Sequence, residues 1–190
     1  TLNNGTGNNP AANDNIFLYE SGTAYTGGVT LLSGQKLIGQ DSTSSLSAIT
    51  GLTPPSGSAS FPAMNTGAPA VTIQNAGGNG VTLNSGNTLN GFTAGNSSGS
   101  AISGSGFGTL TVADVIVNTT GQALSLTNGT LSATFSSVTS SGGTNNVALA
   151  SPLTGTLTIS AGAFSGATGN SFDINGGTAT FTLPITVGGN

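Results

Sequence analysis

The sequence predicts an all-β protein built as a parallel β-helix, a solenoid of short strands, three to a coil, stacked over roughly six or seven coils. Three observations carry this. The stretch at 108–118 (GTLTVADVIVN) recurs in looser copies whose leading residues Thr109, Thr130, Thr156 and Thr178 are spaced by 21, 26 and 22. At such a period one unit cannot bury its apolar face until another stacks on it. A second series, led by Ala101, Ala123, Val147 and Phe172, advances in step by 22, 24 and 25, as two sheets of one coil must. Helix signals are missing, because Gly and β-branched residues interrupt every window of 3.6 periodicity. Parallel strands joined by short Gly/Asn turns can then pair only if the chain coils round and each strand meets its copy one turn later.

Residues 1–14 are polar and turn-rich, a loose terminus or an irregular first coil, and 15–190 is expected to form a single β-helix domain. Strands are expected at Ile16-Phe17-Leu18-Tyr19-Glu20, Val29-Thr30-Leu31 and Gln35-Lys36-Leu37-Ile38-Gly39, with turn residues between them. At about 40–69 the period breaks. Four of the seven prolines (Pro54, Pro55, Pro62, Pro69) fall there in a Ser-rich context that cannot donate regularly to a ladder. This reads as an inserted loop that covers one sheet or makes a contact. The coils resume with Ala70-Val71-Thr72-Ile73, Gly80-Val81-Thr82-Leu83 and the strand at 87–92. A third series (Val115-Ile116-Val117, Phe135 to Val138, Phe164, Ile185-Thr186-Val187) supplies the third side. Phe92, Phe107, Phe135, Phe164, Phe172 and Phe181 are expected to fill the narrow core. Asn75, Asn84 and Asn118 suit turns that need left-handed backbone or side-chain capping.

Charged residues are 3% of the chain, against about 25% in ordinary soluble domains. The whole ionisable inventory is Lys36, Asp14, Glu20, Asp41, Asp114 and Asp173, with no His, Arg or Cys. A net charge of −4 without a basic patch argues against nucleic acid as a partner. No run approaches the roughly 20 apolar residues of a membrane helix, so membrane insertion by this segment is not expected. The start Thr-Leu-Asn-Asn, without Met, reads as an excerpt of a longer exported polypeptide. Thiolate catalysis is excluded by the absence of Cys. No metal or other cofactor is expected: soft ligands are lacking, and Gly77-Gly78-Asn79-Gly80-Val81 is followed by Thr82 where the calcium-binding repeat needs Asp. Lys36 with Glu20 or Asp41 is the candidate ion pair, of small energetic weight if exposed.

The coil sentences at 27–40 (GGVTLLSGQKLIGQ) and 87–93 (NTLNGFT) resemble those of right-handed parallel β-helices with the pectin-lyase fold. They are closest in flavour to repeat-rich bacterial surface proteins of the autotransporter and filamentous-adhesin type. That likeness covers about residues 15–187 and implies a right-handed coil and an extracellular or cell-surface location. Many such β-helices are polysaccharide lyases or hydrolases, and the lyases resemble one another in a basic catalytic residue beside carboxylate-bound calcium. Here one Lys and five scattered acids provide neither that pairing nor two carboxyls about 5–10 Å apart across a sugar, so no enzyme activity and no catalytic residue is expected.

Two surfaces are candidates instead. By strand alternation Leu110, Leu131, Leu157 and Ala179 point inward, so Thr109/Thr111, Thr130/Ser132, Thr156/Thr158 and Thr178/Thr180 point out on one face. The array resembles that of ice-binding solenoids, although Thr also simply fits an exposed strand. Tyr19 and Tyr25 look too isolated to form a sugar-stacking platform. At the C-terminal side Phe181, Thr182, Leu183, Ile185, Thr186 and Val187 are as apolar as an interior coil and are expected to make an end contact. The expected function is a non-catalytic structural or adhesive segment whose partners are further coils of the same polypeptide or further copies, with a glycan or host-matrix surface possible. The alternative is a binding module for ice or glycan, using the Thr face or the 40–69 loop.

Overall fold

Every strand in the computed structural model, which describes residues 9–183, pairs in parallel with a copy of itself one coil away. The first coil contributes β1 (Asn15–Leu18), β2 (Tyr25–Thr26) and β3 (Val29–Thr30). The next elements are β4 (Lys36–Gly39), a short helix α1 (Leu46–Thr50), β5 (Thr72–Asn75) and β6 (Val81–Thr82). From there the strands are β7 (Thr88–Ser97), β8 (Ser100–Thr119), β9 (Gln122–Ser140), β10 (Val147–Ile159), β11 (Gly162–Phe164), β12 (Phe172–Asn175) and β13 (Thr180–Thr182). One 13-stranded parallel sheet wraps the molecule, a β-solenoid of about seven turns with almost no helix.

The register defines three sides. Ile16, Leu37, Leu89, Val112, Ala133, Leu157 and Phe181 stack on the first. Val29, Val81, Ile102, Leu124, Val147 and Phe172 stack on the second. Ile73, Ala94, Val117 and Val138 form the third. These columns meet inside one continuous apolar core, to which Phe92, Phe107, Phe135 and Phe164 contribute as buried rings and Phe172 and Phe181 as partly buried ones. Each fully buried Leu, Ile or Phe contributes about 1.5–3 kcal/mol. The gain is shared between neighbouring coils, so no coil is stable without the next.

The expectation of three short strands per coil holds in the first coils and changes downstream. There β8, β9 and β10 run unbroken through the corners, at 20, 19 and 13 residues. The bends are taken by single residues with positive φ, among them Asp114 at 54° and Asn128 at 57°, with small register shifts in the ladder. One left-handed residue turns the chain while its neighbours keep pairing. Asn75 and Asn84 work by the capping alternative: Asn75 Oδ1 accepts from Gly77 N at 3.0 Å and Asn84 Oδ1 from Ser85 N at 2.8 Å. Asn118 does not close a strand; it lies within β8 opposite Thr139.

Residues 40–71 contain no strand. Their single helical turn, α1, is capped by Ser45, whose hydroxyl accepts from Ala48 N at 3.2 Å, and is stopped by Gly51 with φ 74°. Five residues are too few to leave a periodic signal in the sequence, which is why helix reading missed them. The insertion is packed down rather than dangling. Ile38 faces outward from β4, since Leu37 beside it belongs to the core column, yet it is fully buried. It and Leu46 are buried outside the main core cluster, and the bond from Lys36 Nζ to Ile49 O sets α1 over the outer side of β4.

Candidate functional site

The Thr face is real as an exposed surface, but its register differs from the spacing of its leading residues. Thr109 pairs with Thr130, and Thr130 with Thr154 rather than Thr156. Thr156 pairs instead with Ser132 and with Thr180. Thr154, Thr156 and Thr158 all fit the outward alternation, and the first of them is the one that meets Thr130; the ladder slips by one residue between Ala150 and Leu153 before reaching it. The corrected columns are Thr109, Thr130 and Thr154; Thr88, Thr111, Ser132, Thr156 and Thr180; and Thr134, Thr158 and Thr182. Thr178 N donates to Leu153 O at 2.8 Å, which sets Thr178 beside Thr154 in the first column. Thr158 is half-buried, and the other seven residues expected on this face are exposed. Thr130 and Thr154 hydroxyls bond each other at 2.9 Å. Stacking thus produces a grid of roughly 4.8 Å by 7 Å.

Towards the N-terminal coils the same face is covered. Lys36 occupies the Thr88 column, and its Nζ donates to Ile49 O at 2.7 Å, at the carbonyl end of α1, where a cation is favoured by the helix dipole. The expected ion pair of Lys36 with Glu20 or Asp41 is therefore replaced by a helix-end contact. Asp114, held at positive φ at the bend of β8, takes the other side of the insertion: its Oδ2 accepts from Thr43 N at 2.9 Å, Thr43 Oγ1 at 2.7 Å and Ser42 Oγ at 3.4 Å.

The remaining acids are also used as acceptors. Asp14 Oδ2 accepts from Ala11 N at 2.7 Å, Glu20 Oε2 from Asn65 Nδ2 at 2.9 Å, Asp41 Oδ2 from Val71 N at 2.9 Å, and Asp173 Oδ2 from Asn145 Nδ2 at 3.0 Å. Among the described residues no three acids come together as a metal-holding group.

Between β1 and the insertion lies an open groove of about 600 Å³, lined by Phe17, Tyr19, Leu46, Leu52, Phe61 and Asp14 among others. Phe17 and Tyr19, two apart and both outward, meet edge to face at 4.9 Å. Tyr19 is therefore not isolated: the fold brings Phe61 from the insertion to the same groove, a neighbour 42 positions away that no local pattern indicates. Tyr25 stays apart from it and ties Tyr19 through a hydrogen bond from its hydroxyl to the Tyr19 carbonyl at 2.8 Å.

At the C-terminal side, Phe181 and Leu183 are partly buried against the core and Thr182 is exposed. β13 pairs with β10 alone among the described strands. Ile185, Thr186 and Val187 lie outside the described residues.

Fold and surfaces together define a parallel β-solenoid with one hydroxyl-rich face, covered by the insertion towards the N-terminal coils. No protein-family model matches the chain, and neither the curated proteins nor the solved structures contain a match.

Proposed function

We propose that the chain is a non-catalytic, extracellular structural and adhesive segment of a bacterial surface or secreted protein, self-associating end to end. The observation that carries this reading is the use of the acids. Each of the five carboxylates accepts a hydrogen bond that holds a turn, the insertion or a neighbouring coil, in a chain whose stiffness comes from backbone ladders. The half-buried rings of Phe172 and Phe181 beside β13 present the apolar edge on which a further coil would pair. Sedimentation of the isolated chain should show association that grows with concentration, and Thr182→Lys on β13 should suppress it by placing a charge at the contact. A monomer at every concentration would sink the reading.

A second reading is favoured by the corrected grid: a binding module in which the flat Thr face meets a regular surface, ice being the repetitive target of matching spacing. It predicts that the purified protein inhibits ice recrystallisation and that Thr111→Lys with Thr156→Lys, in one column with Ser132 between them, abolishes the effect. An inert wild-type protein removes this reading and leaves the structural one untouched.

A further inference from the structure

Glu20 and Asp41 lie near each other where the insertion leaves the coil. β1 and β4 run in register from Asn15 and Lys36 to Leu18 and Gly39, and Gln40 N continues the ladder to Leu18 O at 3.0 Å. Just beyond these paired residues Glu20 N donates to Gln40 Oε1 at 3.0 Å, and Glu20 lies close enough for its charge to act on the Asp41 carboxyl. Both residues are half-buried. Each has one oxygen engaged, Glu20 Oε2 with Asn65 Nδ2 and Asp41 Oδ2 with Val71 N. The other oxygen of each, Glu20 Oε1 and Asp41 Oδ1, is sealed from solvent and meets no donor. Two like charges brought this close repel, and a buried acceptor with no donor is costly.

Among the described residues no positive charge is set against the pair. Lys36, the one cationic side chain, donates to Ile49 O. Residues 42–69 carry no charged residue. Asp114 is engaged with Ser42 and Thr43, and Asp14 with Ala11 N.

We propose that Glu20 and Asp41 hold one proton between Oε1 and Oδ1, and that this shared proton is the clasp that closes the 40–69 insertion on the solenoid. The pair reaches both ends of the insertion. Asp41 opens it and binds Val71 N just beyond its close, while Asn65 bonds Glu20 through its side chain and Gln40 O through its own N–H at 2.8 Å. Gln40 Nε2 in turn donates to Ala63 O at 3.0 Å. Removal of the proton to water leaves two facing carboxylates at the base of the strap. Burial raises the Asp41 carboxyl above its ordinary value, the Val71 N–H acts against this, and the charge of Glu20 adds to the rise. A raised folded-state value means that the stabilisation is fully present below the unfolded carboxylate range and is lost as pH rises through the folded value. The strap is therefore tightest below the ordinary carboxylate range and looser once pH passes the raised Asp41 value.

Amide hydrogen exchange at Asn65 and Val71, corrected for intrinsic pH dependence, reads the clasp directly. Protection should fall severalfold as pH rises from about 3 to about 6, across the ordinary and the raised carboxyl value, while amides of β8 and β9 hold steady. In Asp41→Asn, whose amide replaces the shared proton, protection should be flat over that range. Carboxyl carbon NMR of the unmodified chain tests the same point without a variant, and Asp41 should titrate above its ordinary value. An ordinary Asp41 titration, or the same pH slope in Asp41→Asn, would overturn the assignment. Protection restored at pH 8 by calcium alone would also overturn it, by giving the two oxygens to a cation instead.

Discussion

Replacing Phe135 with alanine is expected to cost about 3–5 kcal/mol, the largest loss from any single side chain considered. The ring is fully buried and stacks between Val115 of the coil before and Ile159 of the coil after. In a globular core the surroundings close partly round such a cavity. In a solenoid the flanking coils are held apart by their own ladders, so both interfaces lose contact and neither can collapse. Urea denaturation should show the midpoint displaced accordingly, with a fall in Tm of roughly 6–20 °C for a chain of this size. Exposed Ser136, the next residue along, is the control, and its alanine variant should stay within about 0.5 kcal/mol of wild type. Equal effects at the two positions would contradict the inward assignment of Phe135.

The second large effect is expected at Gly39, through lack of space rather than lack of contact. A Cβ built there lies 2.0 Å from the Gly91 carbonyl oxygen and 2.9 Å from Phe92 Cβ, and a backbone oxygen cannot rotate away. The close approach has a purpose: Asp41 N donates to the same Gly91 oxygen at 3.2 Å, and Ser42 N to Gly39 O at 3.4 Å, which is where the chain leaves the coil to begin the insertion. Gly39→Ala should destabilise the protein by about 1–3 kcal/mol or more and loosen the insertion first. Limited proteolysis between Leu52 and Phe61 should quicken. Gly22→Ala, with open space around it and no positive φ, should leave both stability and cleavage unchanged.

Much of the fold was legible because a solenoid repeats a local rule. Leu110, Leu131 and Leu157 alternate with hydroxyl residues at coil-length spacing, and alternation alone assigns them inward, as the structure finds them. The Pro-rich break at 40–69 was equally local, since prolines cannot sustain a ladder. The number of coils followed from length and period.

What the sequence by itself determined, then, was the class of fold, the inward and outward sets of side chains, and the poverty of ionisable chemistry, because each of these depends on residues close in the chain or on composition. Register was decided only in three dimensions. Thr154 rather than Thr156 stands opposite Thr130, because hydroxyl residues two apart fit the same alternation and local pattern cannot choose between them. The partnerships of the insertion were decided in the same way. Ile38 reads as part of an ordinary strand until Leu46 and its neighbours cover the outer face, and Phe61 joins Tyr19 only after the chain has doubled back. The approach of Glu20 to Asp41, 21 residues apart in sequence, exists because one coil stacks on the next. Burial and charge proximity are set by that stacking, and no reading of local pattern contains them.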